Sequence, residues 1–77
     1  MLRLKDLRED KEMKQKDIAK LINISQTNYS KYELEKINIP NEVLKKLALF
    51  YNTSTDYILG LTNETKAYPR IKKTLDK

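Results

Sequence analysis

Residues 15–33 read QKDIAKLINISQTNYSKYE. Its first half has the apolar spacing of a helix, with Ile18, Ala19, Leu21 and Ile22 recurring at i, i+3 and i+4. Its second half has the same periodicity but different chemistry. From Ser25 to Ser30 it offers only short, neutral, hydrogen-bonding side chains around Tyr29, whereas the other helical faces of the chain carry lysine and glutamate. Only Asn23 and Ile24 separate the two halves, so the helices must meet at a tight, steep corner. Asn23 suits the positive-φ position of such a turn, because asparagine tolerates the left-handed region better than most residues. Ile24 is expected to plug the corner from below, and Ser25 is a natural N-cap for the second helix of the pair.

On a wheel at about 100° per residue, Tyr29, Tyr32 and Glu33 share the inward face of this helix. Thr27 and Lys31 fall roughly opposite, Ser30 flanks them, and Gln26 sits at the N-terminal tip. An outward face of Gln, Thr, Ser and Lys suits the major groove of double-stranded DNA. Glutamine can bond a base edge in two places, lysine can donate to guanine or phosphate, and the threonine methyl can meet thymine. Base edges are neutral dipoles, which accounts for the lack of charge. The competing reading is an ordinary polar surface helix, and the tight corner with Gln26 at the helix tip weighs against it.

Outward from this stretch, helical spacing continues and strand-like alternation is absent. A first helix is predicted over about residues 2–11, with Leu4 and Leu7 inward and Arg8 beside them. A fourth begins with Asn41 as N-cap after Pro40 and carries Val43, Leu44, Leu47, Ala48, Phe50 and Tyr51. A fifth begins at the N-cap candidate Ser54 and stops at Gly60. Tyr29, Tyr32, Tyr51 and Tyr57 fall at core-facing positions. Residues 63–77 are polar and basic, and are expected to be loosely ordered or to form a short helix after Pro69.

The chain has 77 residues, enough for one small all-α domain with a core of limited size. Its formal charge is +5. Most of the excess lies in residues 66–77; the rest lies in residues 14–46, where seven lysines face four acids. This balance is compatible with nucleic acid but equally with a solvated basic protein. There is no cysteine and no histidine, which removes thiol nucleophiles, imidazole bases and Cys/His zinc sites. No glycine-rich phosphate loop or nucleophile with a base is present, so neither an enzyme, a cofactor nor a small-molecule substrate is expected. No signal peptide is visible, and no stretch approaches the roughly 20 apolar residues of a membrane span. A cytoplasmic location is the default.

The segment QKDIAKLINISQTNYSKYE resembles the helix-turn-helix of the phage-repressor, Cro-like (XRE) family of transcriptional regulators. The strings YELEKINIP (residues 32–40) and NTSTDYILGLT (residues 52–62) are similar to the same family's connector and fifth helix. The resemblance covers about residues 2–62. It implies a compact five-helix bundle of the lambda-repressor-like type, forming a DNA-binding domain over residues 1–62 with a basic tail over 63–77. It implies a homodimer, acting as a repressor, with the third helix of each protomer in a major groove. By match of position, Gln26, Thr27 and Lys31 correspond to base-reading residues. Gln15 corresponds to a phosphate-contacting glutamine, and Ser25, Asn28 and Ser30 to flanking positions. Lys36 and Asn38 lie in the loop that approaches phosphate. Arg8 and Glu33 match a structural ion pair, and Ile58, Leu59 and Leu61 a dimer contact.

The family's usual glycines at two turns are replaced by Asn23 and Glu35. A left-handed non-glycine residue costs roughly 1 kcal/mol, so the third helix is expected to run a little past its usual end, with Glu35 bringing a negative charge near the DNA backbone. The alternative reading is a protein-interaction module, anti-repressor or antitoxin-like, that keeps the helix-turn-helix bundle.

Overall fold

The computed structural model describes residues 2–69. Five α-helices follow one another: α1 (Leu4–Asp10), α2 (Gln15–Leu21), α3 (Gln26–Glu33), α4 (Asn41–Tyr51) and α5 (Thr55–Leu59). Among the described residues there is no strand, and no helix is long and apolar enough to cross a membrane. α2 packs on α3 and α4 on α5.

The core is assembled from the residues that helical spacing turns inward. Leu4, Ile18, Ile22, Tyr29, Leu47 and Ile58 are fully enclosed, and Ala19, Tyr32, Val43, Ala48 and Tyr51 complete the cluster. Leu7, Ile24, Leu44 and Phe50 pack half-buried against it. Ile24 thus fills the space under the α2–α3 corner. Tyr57 is only half-buried, and its ring carries the Arg3 guanidinium at 4.2 Å.

The helix starts follow the cap chemistry at two of three expected places. Ser25 Oγ accepts from the Asn28 N–H at 3.1 Å, and Ser54 Oγ accepts from the Tyr57 N–H at 3.0 Å. Asn41 is not a cap. Pro40 occupies that position in an extended conformation, and Asn41 is the first helical residue. Proline's fixed φ already sets the entry angle of α4, so the capping conformation falls one residue early. α1 begins later than the apolar pattern suggests: Leu2 and Arg3 precede it, and the Arg3 N–H donates to Ile58 O at 2.9 Å.

All five helices end in the same way. A residue with positive φ follows each one: Glu12, Asn23, Glu35, Asn52 and Gly60. The next N–H then reaches back five residues, as in Met13 to Arg8 O, Ile24 to Ala19 O, Lys36 to Lys31 O, Thr53 to Ala48 O and Leu61 to Asp56 O. These bonds satisfy the carbonyls left over at each helix end. The expected extension of α3 does not occur. Glu35 takes the left-handed conformation at φ 59° despite its Cβ, and the helix stops at Glu33 with Leu34 as C-cap. The cost of the conformation is outweighed by the backbone bonds it closes, Glu35 N to Tyr32 O and Lys36 N to Lys31 O at 3.0 and 2.9 Å.

The two ends of the domain are tied together by Arg3. Its Nη1 donates to the carbonyls of Tyr57 and Thr62, and its Nη2 donates to Asn63 Oδ1 at 2.8 Å. Residues 63–69, expected as the start of a loose tail, continue along α4 and α5. Thr53 Oγ1 donates to Thr65 O at 2.7 Å, and the Tyr68 hydroxyl donates to Asp56 Oδ2 at 2.7 Å. The possible helix after Pro69 falls outside the described residues.

Candidate nucleic-acid interface

The α2–α3 corner sets the geometry of the outward face. Asn23 (φ 64°) reverses the chain and lets Ile24 turn under it, and Ser25 then starts α3 at once. Tyr29 and Tyr32 anchor the inner side of α3 in the core. With two large rings fixed inward at i and i+3, Gln26, Thr27, Ser30, Lys31 and Leu34 are left on the outer side.

These five residues, with Gln15 and Lys36, line one shallow open cleft of about 430 Å³. Gln26, Thr27, Lys31 and Lys36 are exposed; Gln15 and Ser30 are half-buried. Gln15 comes from the first turn of α2 and Lys36 from the loop after α3, so three separate pieces of chain meet on one surface. Both charged side chains of the lining are lysines, and no carboxylate belongs to it.

The remaining expected site residues lie elsewhere. Ser25 is exposed and occupied as a cap, and Asn28 is exposed beside it. Asn38 lines a different groove, shared with Leu2, Ile37, Ile39 and Leu59. Glu35 faces that second groove as well, where its Oε2 accepts from the Leu2 N–H at 3.4 Å. It is therefore absent from the lysine-lined cleft. Ile58 is fully enclosed within a single chain, so it belongs to the core and offers no surface for a second copy. Leu59 is half-buried and Leu61 is 72% exposed.

Under the cleft lies a compact polar cluster. Arg8 Nε donates to Glu33 Oε2 at 2.7 Å, and Arg8 Nη2 donates to Glu33 Oε1 at 3.1 Å. This is a bidentate pair between side chains only 12% and 5% exposed. Arg8 Nη1 donates to Met13 O at 2.9 Å. Gln15 Nε2 donates to Glu33 Oε1 at 3.0 Å, which leaves its second N–H and its carbonyl unused by this bond. Glu33, at the end of α3, thus holds both α1 and the first turn of α2.

Burial alone would raise the Glu33 carboxyl. The guanidinium of Arg8, the nearby Tyr29 hydroxyl and the Gln15 amide outweigh it and hold Glu33 below the ordinary glutamate range. Burial and the Glu33 charge push the Tyr29 hydroxyl well above the ordinary tyrosine range. The same two causes push Tyr51 up to about 12. Both hydroxyls are buried without a direct hydrogen-bond partner among the described residues. Each therefore stays neutral at physiological pH. Among the described residues, no cluster of acidic side chains is arranged to hold a metal ion.

Sequence reasoning missed two participants. Leu34 lines the cleft, and its signal was available: it stands four residues after Ser30 and eight after Gln26, on the same helical row. Arg3 had no such signal, because its partners lie 54 to 60 positions away in the chain.

The helix-turn-helix family model matches residues 4–58. The HTH-type transcriptional regulator ImmR of Bacillus subtilis (strain 168) is 39% identical over 64 residues, covering 83% of this chain and 50% of that protein. The uncharacterized HTH-type transcriptional regulator YobD of the same organism is 39% identical over 62 residues, covering 80% of this chain and 55% of its own length. The chain spans about half the length of these two relatives. No solved structure matches it.

Proposed function

Since the chain belongs to the XRE-type helix-turn-helix family of DNA-binding transcriptional regulators, we propose that it reads a specific double-stranded DNA operator with α3 in the major groove and acts as a repressor. Gln26, Thr27 and Lys31 face base edges. Gln15 and Lys36 hold phosphates on either side, with Ser25, Asn28 and Ser30 at the margins. The observation that carries this reading is the shared cleft. Residues from the start of α2, the outer face of α3 and the following loop converge on one cleft whose charged lining residues, among the described residues, are Lys31 and Lys36.

The chemistry of each part fits its role. Side chains at the first turn of a recognition helix reach base edges most directly, where Gln26 and Thr27 stand. Lysines attract the backbone without sequence preference, and they release counterions when they neutralise phosphates. The Arg8–Glu33–Gln15 cluster fixes α2 against α3, so the spacing between phosphate contact and base contact is set before DNA arrives.

The protein works as a two-fold homodimer. Leu61, exposed at the end of α5 and held in place by the Arg3 clamp on Tyr57 and Thr62, supplies apolar surface for a second copy, with Leu59 beside it. Two-fold symmetry then requires half-sites about 34–36 Å apart, or multiples of that distance.

Selection of duplexes from a random pool, followed by salt titration of the winner, tests the reading. A single enriched motif with two related half-sites and a steep salt slope is expected. No enriched motif and no binding at low salt would overturn it and favour a protein partner for the same bundle.

A further inference from the structure

The cleft on α3 contains one side chain whose chemistry differs from the rest. Leu34 is 62% exposed, and it is the only apolar residue in a lining otherwise made of Gln15, Gln26, Thr27, Ser30, Lys31 and Lys36. Its position is not accidental in geometry. Tyr29 and Tyr32 fix the rotation of α3, and at i, i+4, i+8 spacing Gln26, Ser30 and Leu34 form one row along its outer side. The C-cap bonds of Leu34 N to Ser30 O, Glu35 N to Tyr32 O and Lys36 N to Lys31 O hold the end of this row rigid.

We infer that Leu34 is a specificity-determining residue, recognising a thymine through its C5-methyl group in the major groove. The inference rests on the DNA-reading function proposed above and adds to it a base preference that hydrogen bonds do not supply. The thymine methyl is the one apolar group on a base edge in that groove. An exposed leucine beside Lys31 and Lys36 is carried to the duplex by their charge, and it gains from contact only with an apolar partner. Eight residues of helix rise span about 12 Å. At about 3.4 Å per base step, the thymine lies within roughly four base pairs of the one read by Gln26.

The test uses the full chain and the duplex obtained by selection. Each thymine in the site is replaced in turn by uracil, which removes only the methyl group. Loss of contact with one methyl is expected to weaken binding about fourfold, at one position per half-site. Leu34→Ala should weaken the thymine duplex by a similar factor and abolish the difference between thymine and uracil at that position alone. Leu34→Met, which keeps an apolar reach, should preserve the difference. If uracil has no effect at any position, or the same effect in Leu34→Ala as in the unaltered chain, Leu34 reads no thymine. A uniform loss in Leu34→Ala without thymine discrimination would assign the residue to the sugar–phosphate backbone and overturn the inference. Either result leaves the enriched motif itself intact; failure to enrich any motif would instead defeat the underlying DNA-reading function.

Discussion

Removing Arg8 should cost this domain a large part of its stability, and removing its partner as well should restore most of it. In the unaltered chain Arg8 makes two charge-assisted bonds to Glu33 and one to Met13 O. Arg8→Met keeps much of the apolar stem but leaves the Glu33 carboxylate, 5% exposed, with the Gln15 amide as its remaining bonded donor. Breaking a buried pair on one side costs about 3–5 kcal/mol. The lower end applies, because the Arg8 side chain keeps some contact with solvent. A loss of about 3 kcal/mol compares with a total of about 4–12 kcal/mol for a domain this size. It corresponds to a fall in Tm of roughly 12–24 °C. In Arg8→Met/Glu33→Leu no charge is left stranded, and stability should return to within about 1 kcal/mol of the unaltered chain. Urea unfolding followed by circular dichroism gives all four corners of the cycle. A cost below about 1 kcal/mol for Arg8→Met, or a double variant as unstable as the two single losses added together, would show that the Arg8–Glu33 pair does not hold the fold in this way.

Three other outcomes follow from particular groups. Glu35→Gly should stabilise the domain by about 1 kcal/mol, raising Tm by roughly 4–8 °C, because glycine takes the left-handed conformation without a Cβ clash; a thermal melt checks this, and no gain would mean that the carboxylate contact at Leu2 offsets the strain. Glu33 is held below its ordinary range, so its contribution to stability is complete above the unfolded value, near pH 4.3, and is lost as pH falls through the lower folded value; unfolding free energy measured against pH should show this decline, and Glu33→Gln should flatten it. Lys36→Ala should weaken all duplexes alike and lower the slope of log affinity against log salt by about 0.9, without reordering sequence preferences.

The helix-turn-helix was legible because its signals are local. The apolar period of α2, the two-residue gap, Asn23 and Ser25 each carry their meaning within a few positions. The core followed from the same periodicity, down to Tyr29 and Tyr32 as the inner face of α3. Where reading failed, the competing effect was also physical. Asn41 looked like a cap, but the backbone of Pro40 set the start of α4 first. Glu35 was expected to let α3 run on, since its propensity opposes the left-handed region. The shared C-cap geometry overrode that preference, as it did at Glu12. Ile58 was matched with a dimer contact, but the assembled bundle encloses it entirely within its own chain. The Arg3 clamp depends on partners at the far end of the chain, and no local pattern announces it. Leu34 falls on the helical row of Gln26 and Ser30, but its side chain carries no polar group to mark it as part of a reading face.

If the outer face of α3 reads bases, Gln26 at its N-terminal tip is the side chain whose loss shows it. Duplex selection repeated with Gln26→Ala should return the same motif relaxed at one position per half-site, with a loss of about 1–3 kcal/mol on the original operator. An unchanged motif at unchanged affinity would show that the face carrying Gln26 does not read DNA.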